Sequence, residues 1–299
     1  SPKYHSSSLT TIEDERDAYT ATVTRYFTQG SLNLSGAYSK EQDYVSRNVS
    51  AQGTIATPSQ NTSFIFGLGY SKDEILPNSI FLDTKMKKNV FDLALGVTQV
   101  ISQTDIAQIT YHHSRGNGYF SDQYKLYDSR PDSRDSDSLL MRWNHHFVAS
   151  ADSLRTSYRY YQDSNDIKSH TLDLEYVFTI GDKWQVTPLL RYYTQSAANF
   201  YYGPVANDPW ADGDTVGAPI SVIYPIYAEG GFASMDQRLS SFGALTYGVK
   251  ISTEFADSWK ADVKFERYEQ KGSWAVGTGS KGLDSFGARS IQLGINHSF

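Results

Sequence analysis

Hydrophobic and polar residues alternate one for one along most of this chain. TSFIFGLGYS sets Phe64, Phe66, Leu68 and Tyr70 against Ser63, Gly67, Gly69 and Ser71. NVFDLALGVTQVI sets Phe91, Leu93, Leu95 and Val97 against Asp92, Ala94, Gly96 and Thr98. LLMRWNHHF, HTLDLEYVFTI and WKADVKFERY repeat the pattern with charged partners: Arg142; Asp173 and Glu175; Lys260, Asp262, Lys264 and Glu266. A period of two is that of a strand with chemically different faces. Helical periodicity is nearly absent. The runs predict about thirteen strands of roughly nine to twelve residues, the length of a tilted strand crossing a bilayer.

The connections sharpen this reading. One set is short and turn-like: TQGS, PSQN, SQTD, ASAD, IGDK and FADS. The other set is mostly long, including KDEILPNSIFLDTKMKK, SRGNGYFSDQYKLYDSRPDSRDSD and the stretch from Ser196 to Gln237. Short turns on one rim and long loops on the other describe an outer-membrane barrel. Counting back from Phe299, with that end on the periplasmic side, every short turn falls on the periplasmic rim. The expected fold is therefore all-β: a transmembrane, antiparallel, up-and-down barrel of about fourteen strands, with about twelve as the alternative, because bacterial barrels have even strand numbers. A single barrel domain spans residues 1–299, and residues 1–13 are the weak candidate for an incomplete first strand. A soluble sandwich would have shorter strands, and no repeat of propeller length is present. The chain closes on SIQLGINHSF, whose alternation up to the aromatic Phe299 resembles the terminal strand that barrel-assembly machinery recognises. Trp143, Trp184, Trp259 and Phe299 lie near strand ends and are expected in the interfacial aromatic belts.

Composition narrows the class. No run approaches the ~18 apolar residues of a membrane helix. The polar opening from Ser1 shows no signal peptide, as in a mature or trimmed chain. A net charge of -6 with no basic stripe argues against nucleic acid as a partner. The absence of cysteine excludes thiolate metal sites and disulfides.

If the apolar face meets lipid, the other face lines a lumen with two unlike halves. Before residue 100 it is small and polar, with Thr20, Thr22, Thr24, Asn33, Ser35, Ser50, Gln52, Gly67 and Ala94. After residue 140 it carries long ionic groups: Arg142, Arg155, Arg159, Asp173, Glu175, Arg191, Lys260, Asp262, Lys264 and Glu266. The interleaved signs fit a salt-bridge network stiffening the wall; a charged constriction that selects solute is the alternative. His112 and Ser114, with Asn117, match superficially the outward-facing pair of an outer-membrane phospholipase, but Arg115 and Gly116 break that spacing. The adjacent pairs His112-His113 and His145-His146 point to opposite faces, which makes them poor metal ligands. In DSRPDSRDSD the interleaved Arg130 and Arg134 favour local ion pairs. Asp208, Asp212 and Asp214 form a weak calcium candidate, with a solvated loop as the alternative. No resident metal and no cofactor is expected, and the role is expected to be non-enzymatic.

Three motifs carry a family resemblance. They are Tyr158-Arg159-Tyr160, then Ile167 to His170-Thr171, then Arg191-Tyr192-Tyr193-Thr194-Gln195 running on to Phe200-Tyr201. With these, residues 157–203 resemble an uncharacterised family of Gram-negative outer-membrane barrels, catalogued as a domain of unknown function; the likeness covers the second half well and the first half loosely. The resemblance implies a bacterial outer-membrane location. It also implies a gene neighbourhood with a small lipoprotein and with thioredoxin-like or flavin-attaching proteins. The implied roles are a transport or conduit barrel, or a scaffold for a lipoprotein partner in an envelope redox or export pathway. A general porin is the alternative, and a lipid hydrolase is remote. His170, Tyr193, Gln195, Phe200 and Tyr201 are then expected to anchor the longest loop or to receive a partner.

Overall fold

A computed structural model describes residues 15–76, 84–205, 207–210, 217–256 and 258–297. They form one antiparallel sheet in which each strand pairs with its neighbours in sequence. The strands are β1 (Asp17–Phe27), β2 (Gly30–Lys40), β3 (Tyr44–Ala56), β4 (Thr62–Ile75), β5 (Met86–Val100), β6 (Asp105–Gly118) and β7 (Ser133–Phe147). They continue as β8 (Asp152–Asp163), β9 (Lys168–Ile180), β10 (Trp184–Gln195), β11 (Phe242–Ala256), β12 (Trp259–Lys271) and β13 (Phe286–His297). The single α-helix among the described residues, α1 (Ile220–Ala228), lies in the β10–β11 connection. No described helix is long and apolar enough to cross a membrane.

The thirteen strands described already exceed the alternative of twelve. The fourteenth was expected from residues 1–13, which lie outside the described residues. Among the described residues β1 and β13 each have one strand neighbour. In an up-and-down sheet strands an even number of places apart run the same way, so these two edges are parallel to each other.

Alternation produces two faces of opposite character, and the apolar one is bare. Leu34, Phe64, Leu68, Leu95, Phe178 and Leu293 are all exposed, Leu293 at 78%. A sheet that presents its leucines and phenylalanines outward gains nothing from them in water and requires an apolar surrounding. The buried hydrophobic residues gather elsewhere: Ile167, Ala198, Phe200 and Leu239 form one cluster at the long-loop rim, and Ile220, Ile223 and Ala233 lie in the long connection. The packed core of this molecule is therefore a cap on one rim, built mainly of loop residues.

The predicted short turns are the connections β1–β2, β3–β4, β5–β6, β7–β8, β9–β10 and β11–β12. Several have the left-handed backbone that tight hairpins need, at Gln60, Ala151, Gly181 and Ser258. On the opposite rim β2–β3 and β8–β9 are also short, so the long-loop rim is uneven and its bulk comes from the four other connections. At Gly248 a Cβ would come within 2.1 Å of the Phe265 carbonyl oxygen, so β11 and β12 approach there as only glycine allows.

Trp143, Trp184 and Trp259 lie near the short-turn rim on the face opposite the charged one, and all three are exposed. Neighbouring rings form a belt: His145 meets Phe147 (4.5 Å), Phe147 meets Tyr176 (5.8 Å), and Tyr176 meets Phe178 (4.5 Å). Trp259 stacks on His297 at 4.4 Å. Phe299 lies outside the described residues.

Candidate functional site

The charged face is concave. Residues of β7, β8, β9, β10, β11 and β12 line one cavity of about 680 Å³. Arg142, Arg155, Arg159, Asp173, Glu175 and Arg191 all reach it. Ser157, Tyr193, Thr246 and Tyr268 complete the polar wall. Strand register decides which charges meet. Arg155 stands opposite Glu175, Ser157 opposite Asp173, and Arg159 opposite Thr171. On the next strand Asp173 stands opposite Arg191. The ion pairs follow this order: Arg155 to Glu175 at 3.8 Å, and Arg191 Nε to Asp173, whose second oxygen accepts from Ser157 Oγ at 3.0 Å.

The ten ionic residues do not form one network. Lys264 pairs with Glu266 two positions along the same strand (2.9 Å), and Lys260 pairs with Glu254 across the sheet (2.5 Å). Arg142 donates only a long hydrogen bond, 3.4 Å, to Gln108 Oε1. Arg142 and Arg159 have no carboxylate partner among the described residues, and Asp262, opposite Gly294, has no cationic one. Around the main cavity there are thus four guanidinium groups and two carboxylates.

Above this cavity the cap begins. Tyr193 Oη donates to Gln195 Oε1 (2.6 Å), and Gln195 Nε2 donates to the carbonyls of Arg238 (3.0 Å) and Ser240 (2.7 Å). The Ser241 hydroxyl donates to the Gln195 carbonyl (3.0 Å). Phe200 is buried against Ile167, Ala198 and Leu239, with Tyr161 and Tyr201 packed beside them. Gln237 and Arg238 of the cap line a second cavity, about 380 Å³, with Tyr193, Gln195, Tyr268 and Gln270 of the concave face. Tyr193 and Tyr268 border both cavities, so the cap lies over the mouth of the charged one.

A buried carboxylate ties the cap together. Asp236, 2% exposed, accepts from Arg130 Nη2 at 2.8 Å, from Arg238 Nε at 2.8 Å and from the Arg238 backbone N–H at 3.0 Å. Arg130 also holds Asp128 (2.8 Å), and Arg238 reaches Asp122 (2.6 Å). The β6–β7 loop is thereby clamped to the β10–β11 loop. Burial alone would raise the Asp236 pKa, but hydrogen bonds from Arg238 and Arg130 outweigh it and hold the carboxyl below its ordinary value. Burial, with the Asp236 charge nearby, pushes the Tyr201 phenol up to about 12.

Other expected residues fall differently. His170 shares its face with Leu172 and Leu174 and takes a 2.6 Å hydrogen bond with Tyr158 Oη through Nδ1. It therefore sits on the apolar face, across the sheet from Arg159 and Arg191, which alternation already implied. His112 and Ser114 point to the concave face, where His112 Nε2 lies 3.4 Å from Asp92 Oδ1. The hydrolase reading needed both on the lipid-facing side, so this arrangement removes its basis. Arg130 does pair locally with Asp128, whereas Arg134 pairs with Asp163 on β8 at 2.6 Å. The Asp208 carboxylate accepts from Trp210 N, Ser221 N and Ser221 Oγ, and so caps α1 with donors occupying the positions a cation would take. Asp212 and Asp214 lie outside the described residues. No group of three metal-ligating side chains occurs among the described residues.

Sequence reasoning missed the clamp, because its members are 106 and 116 residues apart. Tyr268 was legible by alternation from Lys264 and Glu266, and Thr246 only through the β10–β11 register.

A family model described as Protein of unknown function (DUF3570) matches residues 4–289. No curated protein matches the chain. Among solved structures, the fold is similar to the siderophore receptor PirA from Pseudomonas aeruginosa (TM-score 0.57, 10% identity, covering 87% of this chain and 46% of that one). It is similar to PirA from Acinetobacter baumannii (0.56, 9%, 95% and 48%) and to the unliganded ferric citrate transporter FecA (0.52, 11%, 94% and 53%). The chain thus spans about half the length of these structures, and at such identities the likeness is one of fold.

Proposed function

We propose that this chain, which belongs to the DUF3570 family, closes as a fourteen-stranded barrel in the bacterial outer membrane and conducts a small polar solute. One observation carries the reading: the apolar face of the sheet is exposed while the ionic face curls around a cavity of about 680 Å³. Such a molecule is stable only with hydrocarbon outside and water within. The parallel edges β1 and β13 call for one further strand between them, which makes the total even. The long-loop rim then faces outward and the short turns face the periplasm. The siderophore receptors and the ferric citrate transporter that share the fold are named for solutes they handle, in agreement with a conduit. The alternating, fully outward Ile291, Leu293 and Ile295 of β13 suit recognition by assembly machinery. We read the role as non-enzymatic, since His112 engages Asp92 and not Ser114.

The test is conductance of the purified, detergent-extracted protein in a planar bilayer. Discrete steps are expected; silence across a range of voltages and solutes would refute the conduit. A second reading, a scaffold for a small lipoprotein or redox partner, is favoured by the small polar wall of β2–β5, where Ser50, Gln52, Gly67 and Ala94 leave a further space of about 310 Å³. It predicts a stoichiometric small companion on extraction from the native membrane.

A further inference from the structure

The ion pairs around the main cavity leave a definite remainder. Of its four arginines, Arg155 is committed to Glu175 and Arg191 to Asp173. Arg142 and Arg159 remain, on adjacent strands, displaced from each other by one step of the inner face: Arg142 stands opposite Ser157 and Arg159 opposite Leu140. Neither has a carboxylate within reach among the described residues, and both are exposed to the cavity. An arginine whose only role is to stiffen a wall is expected to find a carboxylate, as Arg134 does with Asp163 at the rim. Two guanidinium groups side by side, in a recess with an excess of two positive charges, form a fork of donors whose one protein acceptor is Gln108 Oε1, at 3.4 Å from Arg142.

We propose that this recess is an oxyanion site, and that the solute the barrel carries is a small multivalent oxyanion such as phosphate or a short dicarboxylate. The inference rests on the conduit reading for the word "carries", but the site itself does not. Guanidinium donors match the paired oxygens of phosphate and carboxylate bidentately, where an ammonium offers a single point charge. The volume, about 680 Å³, lies within the range of small-molecule sites. Thr171 and Thr246 bring neutral hydroxyls beside the charges, while the hydroxyls of Ser157, Tyr193 and Tyr268 are held by Asp173, Gln195 and Gln270. The geometry also assigns Asp173 a role: by engaging Arg191 it keeps one cation from the ligand, so the site binds without trapping, as passage requires.

The experiment uses the full chain in detergent and in bilayers. Equilibrium dialysis with labelled phosphate, and separately with labelled succinate, should show saturable binding, and the two arms tell the two ligand chemistries apart. The double variant Arg142→Gln/Arg159→Gln should weaken the preferred anion at least tenfold, while Asp173→Asn, which frees Arg191, should tighten it. All proteins must show the heat-modifiable band of a folded barrel in unheated detergent gels; if the double variant fails that check, the single variants and Asp173→Asn decide. In bilayers under a salt gradient the wild type should favour anions, and the double variant should lose that preference. Binding unchanged by every substitution, or an equal or greater preference for cations, overturns the site. Anion binding without conductance sustains the site and overturns the conduit. Conductance with neither anion preference nor binding does the reverse.

Discussion

Replacing Asp236 by alanine should open the cap while leaving the sheet intact. The carboxylate is 2% exposed and accepts from Arg130 Nη2, Arg238 Nε and Arg238 N at 2.8–3.0 Å. Loss of one member of a buried ion pair costs about 3–5 kcal/mol because the partner is left uncompensated. Here the lower end applies. Arg130, 14% exposed, keeps Asp128, and Arg238, 68% exposed, returns to water and keeps Asp122. A loss of about 3 kcal/mol raises the open population about a hundredfold. The backbone N–H groups of Tyr202, bonded to the Ser234 carbonyl, and of Ser234, bonded to the Phe200 carbonyl, report that opening by hydrogen exchange. Both should exchange about a hundred times faster, while amides within β4 and β5 are unchanged. Exchange within threefold of wild type at Tyr202 and Ser234 would refute the claim that this carboxylate clamps the two loops.

The same group sets a pH dependence. Its folded pKa is depressed, so its contribution is complete above the ordinary aspartate value of about 4 and disappears as pH falls through the lower folded value; fluorescence of Trp210, which meets Tyr224 edge to face in the cap, should change below about pH 4 and stay flat from pH 5 to 7. Leu95→Arg, on the exposed apolar face at mid-strand, should cost about 2–4 kcal/mol in urea-refolding experiments with lipid vesicles, while its neighbour Ala94→Arg, facing the concave side, should cost under about 1 kcal/mol; equal costs would invert the assignment of faces. Phe200→Ala should destabilise the cap by about 3 kcal/mol, seen as faster proteolysis between Ser196 and Ser241 with the barrel band on gels retained.

Much of this molecule is written locally. A side-chain period of two needs no knowledge of partners, so Phe64, Phe66 and Leu68 fall on one face and Gly67 and Gly69 on the other whatever the strands pair with. The turn residues and the contrast between loop lengths supplied the meander. Strands joined by short turns pair with their sequence neighbours, and the sheet order follows the chain throughout. The ionic residues of the second half were assigned to the inner face for the same reason. What alternation cannot supply is register. Sliding β8 by two residues against β9 would keep every face yet set Arg159 opposite Asp173 and Arg155 opposite Val177; the folded pairing instead leaves Arg159 opposite Thr171, without a carboxylate. The cap lay further out of reach. Asp236 and Arg130 are separated by four whole strands, β7 to β10, and loops carry no period to place them. Their meeting depends on how the sheet curls to bring two loops of the same rim together, which is a property of the tertiary structure and not of any stretch of the chain.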